Sequence, residues 1–178
     1  MSLQERFVES VDVYYKLLAI EPDDYSALVN NAWSLTQLER YDDAFTLVNR
    51  IEGQSKTDLS MLSNKCYVLH KMSEFENSLS YCKRALDEKP DDERALKAYS
   101  LSLSLLGKYD VALPYYEKLY SLYPNEINTL MNYGTNLSQL EQYDNAKEIF
   151  DEALTIDPNN QFVLHNRNLI CSNYITCE

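Results

Sequence analysis

Side chains equipped for covalent or metal chemistry are scarce in this chain. Its cysteines are Cys66, Cys82, Cys171 and Cys177, and its histidines are His70 and His165. No two cysteines stand as C-x-x-C, whereas a zinc site needs closely spaced thiolate and imidazole ligands. No G-x-S-x-G elbow, Gly-rich phosphate loop or histidine beside a plausible nucleophile occurs. The chain therefore reads as a non-enzyme with no cofactor and no metal. What remains is the chemistry of recognition. Asn30, Asn64, Asn132 and Asn166 recur at whole multiples of the Asn30-to-Asn64 interval, with Ala98 at the skipped step. A carboxamide donates and accepts, so a row of them can hold an extended peptide backbone, or else brace neighbouring elements. Trp33 and Tyr67 repeat at the same interval. They offer aromatic anchors for a partner or, alternatively, internal packing. Lys71, Arg94 and Lys97 fall near Tyr67 in this scheme. They suit an acidic side chain or a C-terminal carboxylate.

Residues that recur at one interval need an element that recurs with them. Blocks of equal length starting at Tyr25, Leu59, Glu93, Ile127 and Gln161 align without insertion. The fourth place is Leu28, Leu62, Leu96, Leu130 and Leu164. The eighth is small in Ala32, Cys66, Ser100 and Gly134, until Asn168 breaks the rule. The seventeenth is aromatic in Tyr41, Phe75, Tyr109 and Tyr143, and the twentieth is small in Ala44, Ser78, Ala112 and Ala146. Pro90, Pro124 and Pro158 close three blocks, with Lys56 as the exception; with Gly53, that exception predicts an early end to the second helix there. Places 4, 8 and 11 share one helix face, and places 17, 20, 24 and 27 share another. Each block is thus predicted to be a helical hairpin whose small residues let the two axes approach. Asp42, Glu76, Asp110 and Asp144 put negative charge at the start of the second helix. The PDD, PNE and PNN turns supply caps for the next block. Pro114 is expected to be tolerated near its helix start.

The expected layout is one array over 1–178. Residues 1–24 form the second helix of a partial unit, with Phe7, Ser10, Tyr14 and Pro22 in register. Full units cover 25–58, 59–92, 93–126 and 127–160, and 161–178 form a capping or partial-unit helix. The orphan opening helix is read as the mark of an excised fragment. Arg167 and Asn168 are read as solvent-facing residues of a terminal helix.

Composition narrows the partners. Net charge is −12, which opposes binding to nucleic acid and to anionic membranes. No apolar run reaches the roughly 18 residues a membrane span needs, and MSLQERFVES has no secretory h-region. Cys66 and Cys82 are expected to be free, buried thiols acting as small hydrophobes, which points weakly to the cytoplasm.

The pattern resembles the tetratricopeptide repeat, W-x₂-L-G-x₂-Y, A-x₃-F and P in a unit of about 34 residues. Leu130 to Leu137 (LMNYGTNL), Ala146 to Phe150 (AKEIF) and Pro158 carry the likeness, which extends over nearly the whole chain. At the seventh place, where the family has Leu, this chain has Asn31, Lys65, Tyr99, Tyr133 and Arg167. The resemblance implies an all-α, right-handed superhelical solenoid of antiparallel helix pairs, with first helices lining a concave groove. It implies a protein-interaction scaffold that holds a peptide or helix of a partner. Places 2, 5, 6, 9, 12 and 13 would line that groove. These thirty positions contain no Asp or Glu and three cations, Lys71, Arg94 and Lys97, so a neutral or acidic segment is the expected partner. The carboxylate clamp of chaperone-binding members is incomplete: Asn64 fits, but Val29, Trp33 and Ala98 do not. A co-chaperone role is thus a minor alternative. The principal alternative is a targeting or regulatory arm of a larger enzyme whose catalytic domain lies outside this chain, and self-association through the end helices is a third reading.

Overall fold

A computed structural model of the chain describes residues 2–53 and 58–174. Among these residues every regular element is an α-helix. Helices start at Tyr25, Leu59, Glu93, Ile127 and Gln161, each 13 residues long. Each of the first four is followed by a partner. The chain divides into two compact units, Met1–Ala98 and Tyr99–Glu178, and the division falls inside a helix. The first unit contains α1 (Leu3–Ile20), α2 (Tyr25–Gln37), α3 (Tyr41–Gly53), α4 (Leu59–Lys71), α5 (Phe75–Glu88) and the opening turns of α6 (Glu93–Leu105). The second contains the rest of α6, α7 (Tyr109–Leu122), α8 (Ile127–Gln139), α9 (Tyr143–Ile156) and α10 (Gln161–Asn173). Within each unit the helices pack on their neighbours in sequence: α1 on α2, α2 on α3, α4 on α5, α8 on α9. The missing proline at Lys56 lies outside the described residues.

Local chemistry sets these boundaries. The acids of the interblock turns cap first helices: Asp24, Asp58, Asp92 and Glu126 accept from Ala27, Met61, Ala95 and Thr129 N–H, as does Asn160 from Val163. Each satisfies an otherwise unpaired donor of a first turn. First helices end on a left-handed residue at a constant interval, Glu39, Ser73, Gly107 and Glu141. Beyond it, Arg40, Glu74, Lys108 and Gln142 N–H donate back to Leu35, Leu69, Leu103 and Leu137 C=O. This is the Schellman closure, and it reverses the chain in few residues. Only Gly107 is the residue that conformation favours, because it has no Cβ. Pro114 lies at the sixth position of α7, and the helix continues past it to Leu122.

The hairpin cores depend on a pairing between places 8 and 24. A Cβ built on Gly134 would lie 2.6 Å from the ring of Phe150. Ser100 hydrogen-bonds Tyr116. Cys66 and Cys82 occupy the same two places, with Cα atoms 4.9 Å apart, and form a disulfide between α4 and α5. The free-thiol expectation is thereby corrected. The two places face each other across the hairpin, so cysteines at both must meet. Cys171 is disulfide-bonded as well.

The seventh place takes polar residues in three different ways. Lys65, 5% exposed, binds Glu52 and donates to Asn49 Oδ1 at 2.8 Å. Its ammonium also lies 4.6 Å from the Tyr81 ring centroid, and Tyr81 donates to Glu52. The Lys65 hydrogen bond holds the Glu52 carboxyl below its ordinary range, against burial. Arg167 donates to Asp151 at 2.8 Å and is half-buried, so it is not simply the solvent-facing residue expected. Asn31 is fully buried and neither amide atom finds a protein partner. An unmet buried amide costs about 1–3 kcal/mol. Asn31→Leu, which restores the family residue, is accordingly expected to stabilise the chain by about 1–3 kcal/mol, read as a rise in the urea midpoint. A lower midpoint would contradict this account of Asn31.

Candidate functional site

The candidate site of the first unit is built around Trp33, the only tryptophan of the chain. Trp33 sits at the ninth position of α2 and Tyr67 at the ninth of α4. Because α2 packs directly on α4, equal positions come together: the two rings are 5.8 Å apart, centroid to centroid, and tilted by 48°. Arg94, the second residue of α6, lays its guanidinium 4.0 Å over the Trp33 ring. It also donates to Asn64 Oδ1. The Asn64 Nδ2 in turn donates to Val29 C=O at 3.1 Å. Asn64 thus joins α2, α4 and α6 and holds the arginine over the indole. Lys71 projects its ammonium 5.4 Å from the Tyr67 centroid.

These groups edge a hollow of about 190 Å³, with Val29, Asn30, Trp33, Asn64 and Arg94 among its walls. Asp92 lines it too, a carboxylate whose sequence position suggests a cap and nothing more. One Asp92 oxygen is engaged twice, by Ala95 N–H and by the Ser63 hydroxyl, each at 3.0 Å. Burial pulls the Arg94 guanidinium below its ordinary value, while Asp92, Tyr67 and Glu93 oppose that pull. A guanidinium has five N–H donors and stays charged; Asn64 uses one of them. The remaining donors can meet a carboxylate in the bidentate geometry that guanidinium favours. His70 contributes no charge here. Burial, aided by Lys71, pushes its pKa down to about 4, so the imidazole is neutral at neutral pH.

A second hollow, about 360 Å³, lies on the other side of Trp33. Its walls include Leu3, Phe7 and Tyr14 of α1 together with Asn30 and Trp33 of α2. The groove expected from the periodicity gives α1 no part in binding. The available signal was the register of Phe7, Ser10 and Tyr14, residues that elsewhere pack on a first helix.

The exposed groove face is narrower than the periodicity implies. Thr36, Ser63, Asn64, His70 and Ala98 belong to it by register, yet all are buried. Direct packing of α2 on α4 covers much of the edge between successive first helices. Asn30 is exposed and its amide has no partner among the described residues. Lys97 pairs with Glu93 at 2.8 Å, one turn earlier on α6. In the second unit, Asn132 is half-buried on α8, and Asn166 spends its amide on Phe162 C=O of its own helix. So Asn30, Trp33, Asn64, Tyr67, Lys71 and Arg94 gather in one unit, and Asn132 and Asn166 belong to the other.

Two tetratricopeptide-repeat family profiles match the sequence, at residues 69–127 and 127–160. No curated protein matches it. Among solved structures, a point mutant of MamA superposes with a TM-score of 0.78 at 20% identity, covering 85% of this chain and 88% of that one. MamA from Desulfovibrio magneticus gives a TM-score of 0.76 at 16% identity, over 84% and 85% of the two chains. YrrB, described as a TPR protein with an unusual peptide-binding site, gives 0.75 at 20% identity, over 92% of this chain and 84% of its own. With the hairpins, the small-residue places and the profile matches in agreement, the chain belongs to the tetratricopeptide-repeat family.

Proposed function

We propose that the chain is a non-catalytic interaction scaffold whose first unit holds an acidic or neutral peptide segment of a partner protein against Trp33. The observation that carries this reading is the Arg94 guanidinium. It is half-buried, fixed by Asn64, stacked on an indole and left with donors unspent. Such an arrangement suits a carboxylate, with Trp33 and Tyr67 as flat apolar surface beside it. Tetratricopeptide-repeat proteins bind proteins or peptides, and YrrB has a described peptide-binding site, which supports the same class of ligand here. The Asn30, Asn64, Asn132 and Asn166 ladder enters this reading in reduced form. Asn30 and Asn132 keep amides for a peptide backbone, while Asn64 acts as a brace.

The cystine bears on the compartment. Among the described residues no helix is long and apolar enough to cross a membrane. A buried disulfide persists most readily where the environment oxidises thiols, so the cytoplasmic expectation loses the reduced thiols it rested on.

A peptide-array screen with the intact chain, followed by calorimetric titration of the selected peptide, tests the function. Trp33→Ala and Arg94→Ala are each expected to weaken that peptide about 30-fold, the effect of an anchor worth roughly 2 kcal/mol. Lys97→Glu is expected to weaken it less, because Glu93 already holds Lys97. Unchanged affinity in both Trp33→Ala and Arg94→Ala, with helix content intact, would refute the site.

A further inference from the structure

Asp92 and Arg94 line the same hollow of about 190 Å³, the size of one side chain. They carry opposite charges, yet no ion pair joins them among the described residues. Asp92 is the N-cap of α6 and Arg94 stands two places later, and residues two apart on a helix do not face each other. Each is also held elsewhere. Asn64 Oδ1 and the Trp33 ring hold the guanidinium. Ala95 N–H and the Ser63 hydroxyl hold one Asp92 oxygen, and the other accepts from no group among the described residues. The two charges still sense each other: burial lowers the Arg94 pKa, and Asp92 is foremost among the groups that oppose it. The wall of the hollow is therefore formally neutral, with an unspent acceptor on Asp92 and unspent donors on Arg94.

Such a wall discriminates among ligand groups of similar shape. A carboxylate satisfies Arg94 but brings like charge to Asp92. An ammonium does the reverse. An apolar group covers both charges and leaves them without the water they had. A carboxamide supplies both missing partners: its oxygen accepts from the guanidinium, and its N–H donates to the free Asp92 oxygen, with no net charge added. We propose that the hollow between α2, α4 and α6 is a subsite for a neutral carboxamide, a Gln or Asn side chain of the bound segment, and that Asp92 sets its selection against Glu and Asp. The subsite rests on the peptide-binding reading and narrows the ligand at one position. Acidic residues elsewhere in the segment stay compatible with Lys71.

An array of acetylated, amidated octapeptides tests both levels. One position is fixed in turn as Gln, Asn, Glu, Asp or Met, the others are mixed, and the capped ends remove terminal charges. Probed with the full chain, the array is expected to favour Gln or Asn at one position. In calorimetric titration the selected Gln peptide should bind about fivefold tighter than its isosteric Glu counterpart, roughly the effect of one net hydrogen bond. Asp92→Asn removes the charge and keeps the cap, since Asn160 caps α10 in the same way. In that variant the Glu peptide should bind at least as tightly as the Gln peptide, with the melting temperature little changed. A Glu preference in the parent chain would overturn the carboxamide subsite while leaving peptide binding in place. So would a Met peptide as tight as the Gln peptide, or a Gln preference that survives Asp92→Asn. Retention of no peptide at all would overturn both the subsite and the peptide-binding reading.

Discussion

Phe150→Ala is expected to lower the stability of the chain by about 3–5 kcal/mol, the range for emptying a fully buried aromatic site. The ring has no exposed surface and lies among Leu130, Leu137, Ile149, Val163 and Ile170. The usual relief for such a loss is inward movement of a neighbouring side chain. Here the neighbour on the facing helix is Gly134, whose Cβ position is 2.6 Å from the ring, so no side chain stands ready there to fill the space. The reverse change gives an independent check. Gly134→Ala gains about 1 kcal/mol of helix propensity, yet its methyl would overlap a ring that close packing holds in place. Overpacking of this kind costs about 1–3 kcal/mol. Gly134→Ala should therefore be neutral to destabilising alone and stabilising in a Phe150→Leu background. Urea denaturation of the parent, both single variants and the double variant measures this coupling. Simple additivity would mean that the two residues do not share one volume.

Loss of the Cys66–Cys82 cystine is expected to cost about 3 kcal/mol, the loop-closure figure for roughly 15 residues; the two cysteines are 16 apart in sequence. Reductant alone would also act at Cys171. The paired variant Cys66→Ala/Cys82→Ala isolates the effect. Both residues are fully buried, so a thiol reagent should reach them only through opening of the α4–α5 hairpin. Alkylation of the unfolded but unreduced protein, followed by mass spectrometry, should find Cys66 and Cys82 unmodified and linked to each other. Labelled thiols at both positions, or a paired variant as stable as the parent, would refute the cystine as a structural element. Alanine suits the eighth place, where Ala32 stands in the preceding hairpin.

The helices were legible because their causes are local. The starts at Tyr25, Leu59, Glu93, Ile127 and Gln161 follow from acids and amides that cap the next helix and from an apolar stripe at helical spacing. Hairpin turns were legible as short polar stretches. Their left-handed residue was less so, since only one of the four positions is glycine. At the site, shared period was enough to bring Trp33 beside Tyr67, because equal positions on packed first helices become neighbours. It could not foresee that Asn64 would be consumed as a brace between Val29 and Arg94, nor that Thr36 and His70 would be covered.

A reader of the residues alone learns that this chain is a series of helical hairpins of one period, with the candidate recognition residues placed on first helices. Hydrogen bonds within a helix and hydrophobic periodicity involve residues a few positions apart, so composition and spacing contain them. The pairing of places 8 and 24 in one volume, divided as Gly134 with Phe150 and as Cys66 with Cys82, emerged from packing. So did the seat of Arg94 over Trp33 and the exposure of Val13 and Leu17 on α1. Those outcomes depend on how side chains from distant helices fill a common space, and a volume shared between two helices is a property of neither segment alone.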